Sequence, residues 1–227
     1  MRLYLLTAAS ALALLVAAPA SAAIVISTGA GTIQPDENLL FTNNPDNGLT
    51  IEGITNQSGT LVSIAGGETL VGNGGQARIE SLDGSLNTTF AYNGLSGQTL
   101  GFDLSDSSLA FTESEFRIFV GRGTATQATL TYFDTAGTQF QETFAIPSNG
   151  FFNAYAIDNQ LIDYFSFSAN GSIEDVRQIR LGGFTSLDGG GGGAGVVPEP
   201  ATWALMILGF GGAGSMLRAK RRRRATV

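Results

Sequence analysis

The 227-residue chain contains no cysteine and no histidine. Cysteine nucleophiles, Ser-His-Asp triads, HExxH sites and Cys/His zinc clusters are therefore excluded. The only lysine is Lys220, close to the C-terminus, which removes P-loop, Schiff-base and SxxK chemistry. Without cysteine, stability in an oxidising compartment cannot rest on disulfides. Carboxylates, hydroxyls, arginines and aromatics are what remain, and their arrangement differs between the two ends and the body.

The N-terminal stretch has one charge, Arg2, then an Ala/Leu-rich run to Ala18 and the small residues Pro19-Ala20-Ser21-Ala22-Ala23. A single positive charge, a short apolar run and an AxA arrangement predict a secretory signal peptide over residues 1–23, cut by signal peptidase at Ala22 and Ala23. At the other end, a glycine-rich linker over 189–197 cannot pack a core and reads as a tether. Pro198 and Pro200 then impose an extended backbone and display Glu199 between them. Residues 201–217 carry no charge; as a helix they would extend about 26 Å, at the lower limit for crossing a bilayer. Trp203 suits the outer interface, and Arg218, Lys220, Arg221, Arg222, Arg223 and Arg224 suit a cytoplasmic stop-transfer cluster. Gly209 to Gly214 spells GxGxxG, but inside this apolar span it reads as a close-packing helix surface rather than a dinucleotide loop.

The order Pro198-Glu199-Pro200-Ala201-Thr202-Trp203-Ala204, Gly/Phe-interrupted apolar span and arginine cluster resembles the PEP-CTERM sorting signal of Gram-negative bacteria in its PEPxxWA form. That resemblance implies an exosortase, a membrane-embedded cysteine transpeptidase-like enzyme, as processing partner. It further implies that Pro198, Glu199, Pro200 and Trp203 are recognition residues, and that 201–217 is a transient inner-membrane anchor. The chain would then be a substrate and end at the cell surface or outside the cell. An unprocessed membrane-anchored envelope protein is the alternative that shares the same physics.

Between the signals lie residues 24–188, enough for one well-buried domain. This body has 18 acidic residues against five arginines, Arg78, Arg117, Arg122, Arg177 and Arg180, a net charge of −13 that the whole-chain value of −7 conceals. So acidic a body is soluble and avoids nucleic acid and anionic membrane surfaces. Alternating apolar and polar residues predict strands at Phe116 to Val120, Ala128 to Tyr132, Thr138 to Ile146, Phe151 to Ile157, Leu161 to Ser168 and Val176 to Leu181. Turn residues separate them, as at Asp134 to Gly137 and Ala169 to Ser172. Earlier candidates are Leu49 to Ile54, Leu61 to Ala65 and Ala77 to Leu82. The fold class expected is all-β, an antiparallel β-sandwich. Thirteen of the body's 14 phenylalanines fall between Phe90 and Phe184, so the later half is expected to hold the main core, with the earlier part added as irregular strands. The run from Gly101-Phe102-Asp103-Leu104 to Asp175–Gly183 also resembles, diffusely, the bodies of other PEP-CTERM proteins, which implies a jelly-roll-like sandwich of the carbohydrate-binding kind.

Candidate chemistry in the body is sparse. Glu113 and Glu115 share a strand face at a spacing near that of a glycosidase pair, with Asp103 and Asp106 nearby; among so many carboxylates, solvated neighbours are the expected reading, and no catalytic residue is assigned. Calcium takes oxygen ligands, and Asp36-Glu37, Asp158-Asn159 and Glu174-Asp175 are partial sets, with the metal ligands left unassigned and no other cofactor implied. Tyr92, Tyr132, Tyr155, Tyr164 and Phe151-Phe152 are candidate sugar platforms, although Tyr132 shares a face with Ala128 and Leu130 and reads as core. Glu142, on a face with Phe140 and Phe144, calls for a bulge, an edge position or an arginine partner. The expected function is a non-enzymatic exported surface or matrix protein associated with exopolysaccharide; the alternative is a secreted carboxylate-dependent enzyme acting on glycans.

Overall fold

The computed structural model describes residues 23–41, 47–74 and 77–187. The expected signal peptide up to Ala22, the expected linker over 189–197 and the whole sorting signal, with its expected span 201–217, lie outside the described residues. Among the described residues no helix is long and apolar enough to cross a membrane, and the regular structure is strand.

Sixteen strands form: β1 (Ala23–Thr28), β2 (Glu37–Leu40), β3 (Asn47–Thr55), β4 (Leu61–Asn73), β5 (Arg78–Ser81), β6 (Phe90–Tyr92), β7 (Leu95–Gln98), β8 (Leu100–Leu104), β9 (Leu109–Ala110), β10 (Glu113–Phe119), β11 (Gln127–Asp134), β12 (Gln139–Ala145), β13 (Phe151–Ile157), β14 (Ile162–Ala169), β15 (Asp175–Gly182) and β16 (Thr185–Ser186). All pairings are antiparallel, and twelve strands belong to one sheet, ordered β1-β13-β10-β15-β2-β3-β4-β8-β14-β11-β12, with β5 pairing both β15 and β4. The expected later strands form within a few residues of their predicted limits, and β13 matches them at both ends.

Side chains from distant parts of that path meet, so the sheet is folded over on itself. Phe116 on β10 stacks at 5.6 to 6.2 Å on Phe102 of β8 and on Phe165 and Phe167 of β14, and at 6.0 Å on Phe152 of neighbouring β13. The period of two explains why: Ser114, Phe116 and Ile118 turn to one side of β10 and are buried there, as Ala128, Leu130 and Tyr132 are on β11. The Tyr132 hydroxyl, with no exposed surface, shares a 2.8 Å hydrogen bond with the Ser114 hydroxyl across the core. Tyr132 is thus core, as its face predicts.

The expectation that residues before Phe90 are irregular additions is corrected. β4 is 13 residues long and pairs with β3, β5 and β8, while Leu39, Phe41, Ile51, Val62, Ile64, Leu70 and Ile79 belong to the same buried cluster as the phenylalanines. The early half compensates for few bulky residues by seating Leu39, Phe41 and Leu70 over glycines. A side chain added at Gly53 would meet Leu39 at 2.8 Å, and one at Gly72 would meet the Phe41 ring at 2.6 Å. Glycine in a strand here provides close approach of a neighbouring large side chain. Glu142 needs no compensating partner, because β12 is the last strand of the sheet order and Glu142 is exposed on it.

Candidate functional site

The outer surface of the β13-β10-β15 half carries a polar layer that strand pairing assembles. In register, Ser27, Asn153, Glu115, Arg180 and Asn38 lie side by side across β1, β13, β10, β15 and β2. Glu115, despite facing outward, is 2% exposed. It accepts a hydrogen bond from Arg180 Nη1 at 3.2 Å and another from the backbone N–H of Gly31 at 3.3 Å, in the segment that follows β1. Arg180 Nε also donates to Asn38 Oδ1 at 3.1 Å.

Beside this row sits a second cluster. Asp175 is fully buried and holds Arg177 in a fork, Nε at 2.5 Å and Nη2 at 2.6 Å, together with Arg78 Nε at 2.8 Å. Arg78 reaches Glu80 at 2.6 Å as well. The Arg177 guanidinium lies over the Phe119 ring at 4.1 Å. Four of the body's five arginines are therefore on one face, and a cavity of about 520 Å³ opens between them, lined by Arg117, Arg177 and Arg180 with Asn38, Asn56 and Gln178 among its other walls.

A β-bulge creates this grouping. Pairing runs Glu115↔Arg180 and then Arg117↔Arg177, so that Phe116 alone on β10 lies against Gln178 and Ile179 on β15. Gln178, at φ 52°, absorbs the extra residue. Strict alternation would send Arg177 and Arg180 to opposite faces. No strand-period argument finds this cluster; the signal that was present is the crowding of Asp175, Arg177 and Arg180 in a body with so few arginines.

The residues singled out from the sequence are dispersed by the fold. Glu113 and Glu115 do share a face, but Glu115 is committed to Arg180 and Gly31. Asp106 caps its own loop by accepting from Ser108 N–H at 2.9 Å. Glu37 accepts from Ser58 N–H and Ser58 Oγ, both at 2.8 Å, and Gln57 Nε2 donates to the Asp36 carbonyl, so this pair holds the β3-β4 turn. Asp158 and Asn159 form a turn with φ of 55° and 63°. Glu174 accepts from Arg122 N–H at 3.2 Å, and Asp175 is the arginine anchor already described. Among the described residues no group of three or more Asp, Glu, His or Cys side chains is placed to hold a metal ion. Phe151 and Phe152 split, the first lying 5.8 Å from the Arg117 guanidinium and the second entering the core. Tyr155 is partly buried on β13.

On the other half of the sheet, Phe133 stacks on Tyr164 at 4.6 Å and Tyr164 meets Tyr92 edge-on at 6.1 Å. Asp103, the cross-strand partner of Tyr164, is pushed up to about 6 by burial and then by the charge of Asp163. Its folded form thus binds a proton more readily than the unfolded chain. Stability falls as pH rises from about 4 through about 6, and above that the charged carboxylate stands as a penalty. Because Asp103 is only partly buried, solvent screening reduces the effect to about 1 kcal/mol. Asp103→Asn is expected to stabilise the protein by about that amount at pH 8 and to flatten the slope in urea melts between pH 4 and 8; parallel slopes in both proteins would contradict this.

No curated protein and no solved structure matches the chain. Residues 196–224 match the family model of the PEP-CTERM protein-sorting motif, which contains the expected recognition residues Pro198, Glu199, Pro200 and Trp203 and the basic cluster from Arg218 to Arg224. The chain thus carries, at its C-terminal end, the PEP-CTERM protein-sorting motif of exported proteins sorted by an exosortase.

Proposed function

We propose that the chain is a non-enzymatic surface or matrix protein that is exported, held briefly in the inner membrane by residues 201–217, cut by an exosortase near Pro198 to Pro200 and left in association with extracellular polysaccharide. The observation that carries the reading is the sorting motif over residues 196–224. An N-terminal signal peptide cut by signal peptidase at Ala22 and Ala23 completes the route.

The exported domain is read as a jelly-roll sandwich. In support, one half of the folded sheet runs β5-β15-β10-β13 and the facing half β8-β14-β11-β12. The chain passes between halves from β10 to β11, from β12 to β13, from β13 to β14 and from β14 to β15. That is the double Greek-key order of such sandwiches. A non-enzymatic role is favoured by the fate of the glycosidase-like pair: Glu115 is bound to a guanidinium and to a backbone N–H, and neither partner is a reacting group.

Intact mass of the protein recovered from the outer surface and medium of the host, compared with the membrane fraction, tests the route. A species starting near Ala23 and ending near Pro198 to Pro200 is expected outside. In a strain without the exosortase, or in Glu199→Ala, the tail is expected to stay attached and the protein to stay in the membrane. A full-length tail confined to the membrane in every strain would leave an unprocessed anchor protein instead.

A further inference from the structure

The arginine-lined cavity lies in a body of net charge −13, and no carboxylate is among the described residues that line it. Its charges do not balance. Arg78 and Arg177 share Asp175, Arg78 also holds Glu80, and Arg180 holds Glu115. Arg117 has no ion pair among the described residues, and its Nε is buried there without a hydrogen-bond partner. It is placed directly opposite Arg177 across β10 and β15, a like-charge pairing that destabilises a sheet unless something of opposite sign lies between. The rings of Phe119 and Phe151, at 5.6 and 5.8 Å, position its guanidinium.

The neighbouring amides are also set up as donors. Asn38 Oδ1 already accepts from Arg180 Nε, and Asn56 Oδ1 accepts from the backbone N–H of Asn38 at 2.8 Å. Each therefore turns its NH2 group to other partners. Gln178, which lines the same cavity, holds the left-handed backbone that brings Arg177 and Arg180 to this face. Strained backbone of this kind persists where the surroundings over-determine it, and it concentrates at ligand sites.

We propose that this cavity is an anion site for a carboxylated sugar, a uronate unit of an acidic glycan, with Arg117 binding the carboxylate. One uncompensated guanidinium matches one negative charge, and a planar guanidinium matches a carboxylate with two parallel hydrogen bonds. Donor amides beside it suit ring hydroxyls, and the volume is that of a small-molecule pocket rather than of an ion site. This assignment rests on the reading of the protein as glycan-associated and names the chemistry that would recognise the glycan.

Calorimetric titration of the full chain in detergent tests it, with oligogalacturonate, a neutral glucose oligomer of equal length, inorganic phosphate and sulfate as probes. Binding of the oligogalacturonate alone is expected, weakening as salt is raised. Arg117→Gln is expected to weaken it by about tenfold or more, the loss of one charge-assisted bidentate contact. Arg117→Lys is expected to recover part of it, and Arg122→Gln, outside the cavity, to leave it unchanged. Thermal melting of Arg117→Gln at or above the temperature of the unsubstituted chain separates loss of binding from loss of fold. Phosphate or sulfate bound as tightly as the uronate, or uronate binding indifferent to Arg117, overturns the assignment. Retention of the protein on matrix polysaccharide without uronate binding overturns the site and keeps the glycan reading; no retention and no binding overturn both.

Discussion

Phe116→Ala is expected to destabilise the domain by about 3 to 5 kcal/mol, the range for removing a fully buried phenylalanine. Phe116 has no exposed surface and its ring contacts four others, Phe102, Phe152, Phe165 and Phe167. Those rings come from three strands in both halves of the folded sheet. A cavity there cannot be closed by movement of one neighbour, so both lost burial and lost packing count. Phe116→Leu, which keeps most of the volume, is expected to cost about 1 to 1.5 kcal/mol. Urea unfolding of each protein supplies the comparison. If Phe116→Ala cost no more than Phe116→Leu, the ring would not be the junction of the two halves.

The second large effect is expected from Asp175→Asn. Asp175 is fully buried and anchors Arg177 through a fork and Arg78 through Nε. Removing its charge leaves two guanidiniums, each about a quarter exposed, facing a neutral amide in a partly desolvated layer. Breaking one side of such a buried network costs about 3 to 5 kcal/mol, although replacing all its members together can be nearly neutral. Glu80→Gln provides the contrast, because both it and Arg78 keep a quarter or more of their side chains exposed; about 1 kcal/mol or less is expected. Equal losses in the two variants would mean that the burial of Asp175 adds nothing to the cost of removing its charge.

The sorting motif is legible without any structure, because it is a matter of local composition and linear order. Pro198-Glu199-Pro200 before Trp203 and the arginines after Leu217 form one contiguous string within the matched residues 196–224. The later strands are legible for a related reason: an alternation of two residues reports a half-buried sheet wherever pairing is regular. β13 is read to the residue, and Tyr132 is placed in the core by the side it shares with Ala128 and Leu130.

The early half was misjudged because bulky apolar residues were counted without their partners. Leu39 over Gly53 and Phe41 over Gly72 fill the core as pairs, Leu39 on β2 meeting β3 and Phe41, just past β2, meeting β4. The sorting motif, the acidic body and the strand alternation thus follow from composition and local order alone, since each is a property of neighbours along the chain. Only the folded sheet decided that Glu115 is bound to Arg180 instead of paired with Glu113 for catalysis, and that Arg117, Arg177 and Arg180 surround one cavity. The physical reason is that cross-strand register joins Glu115 to Arg180 and Arg117 to Arg177, far apart in the chain, and a single bulge at Gln178 reverses which side of the strand a side chain takes.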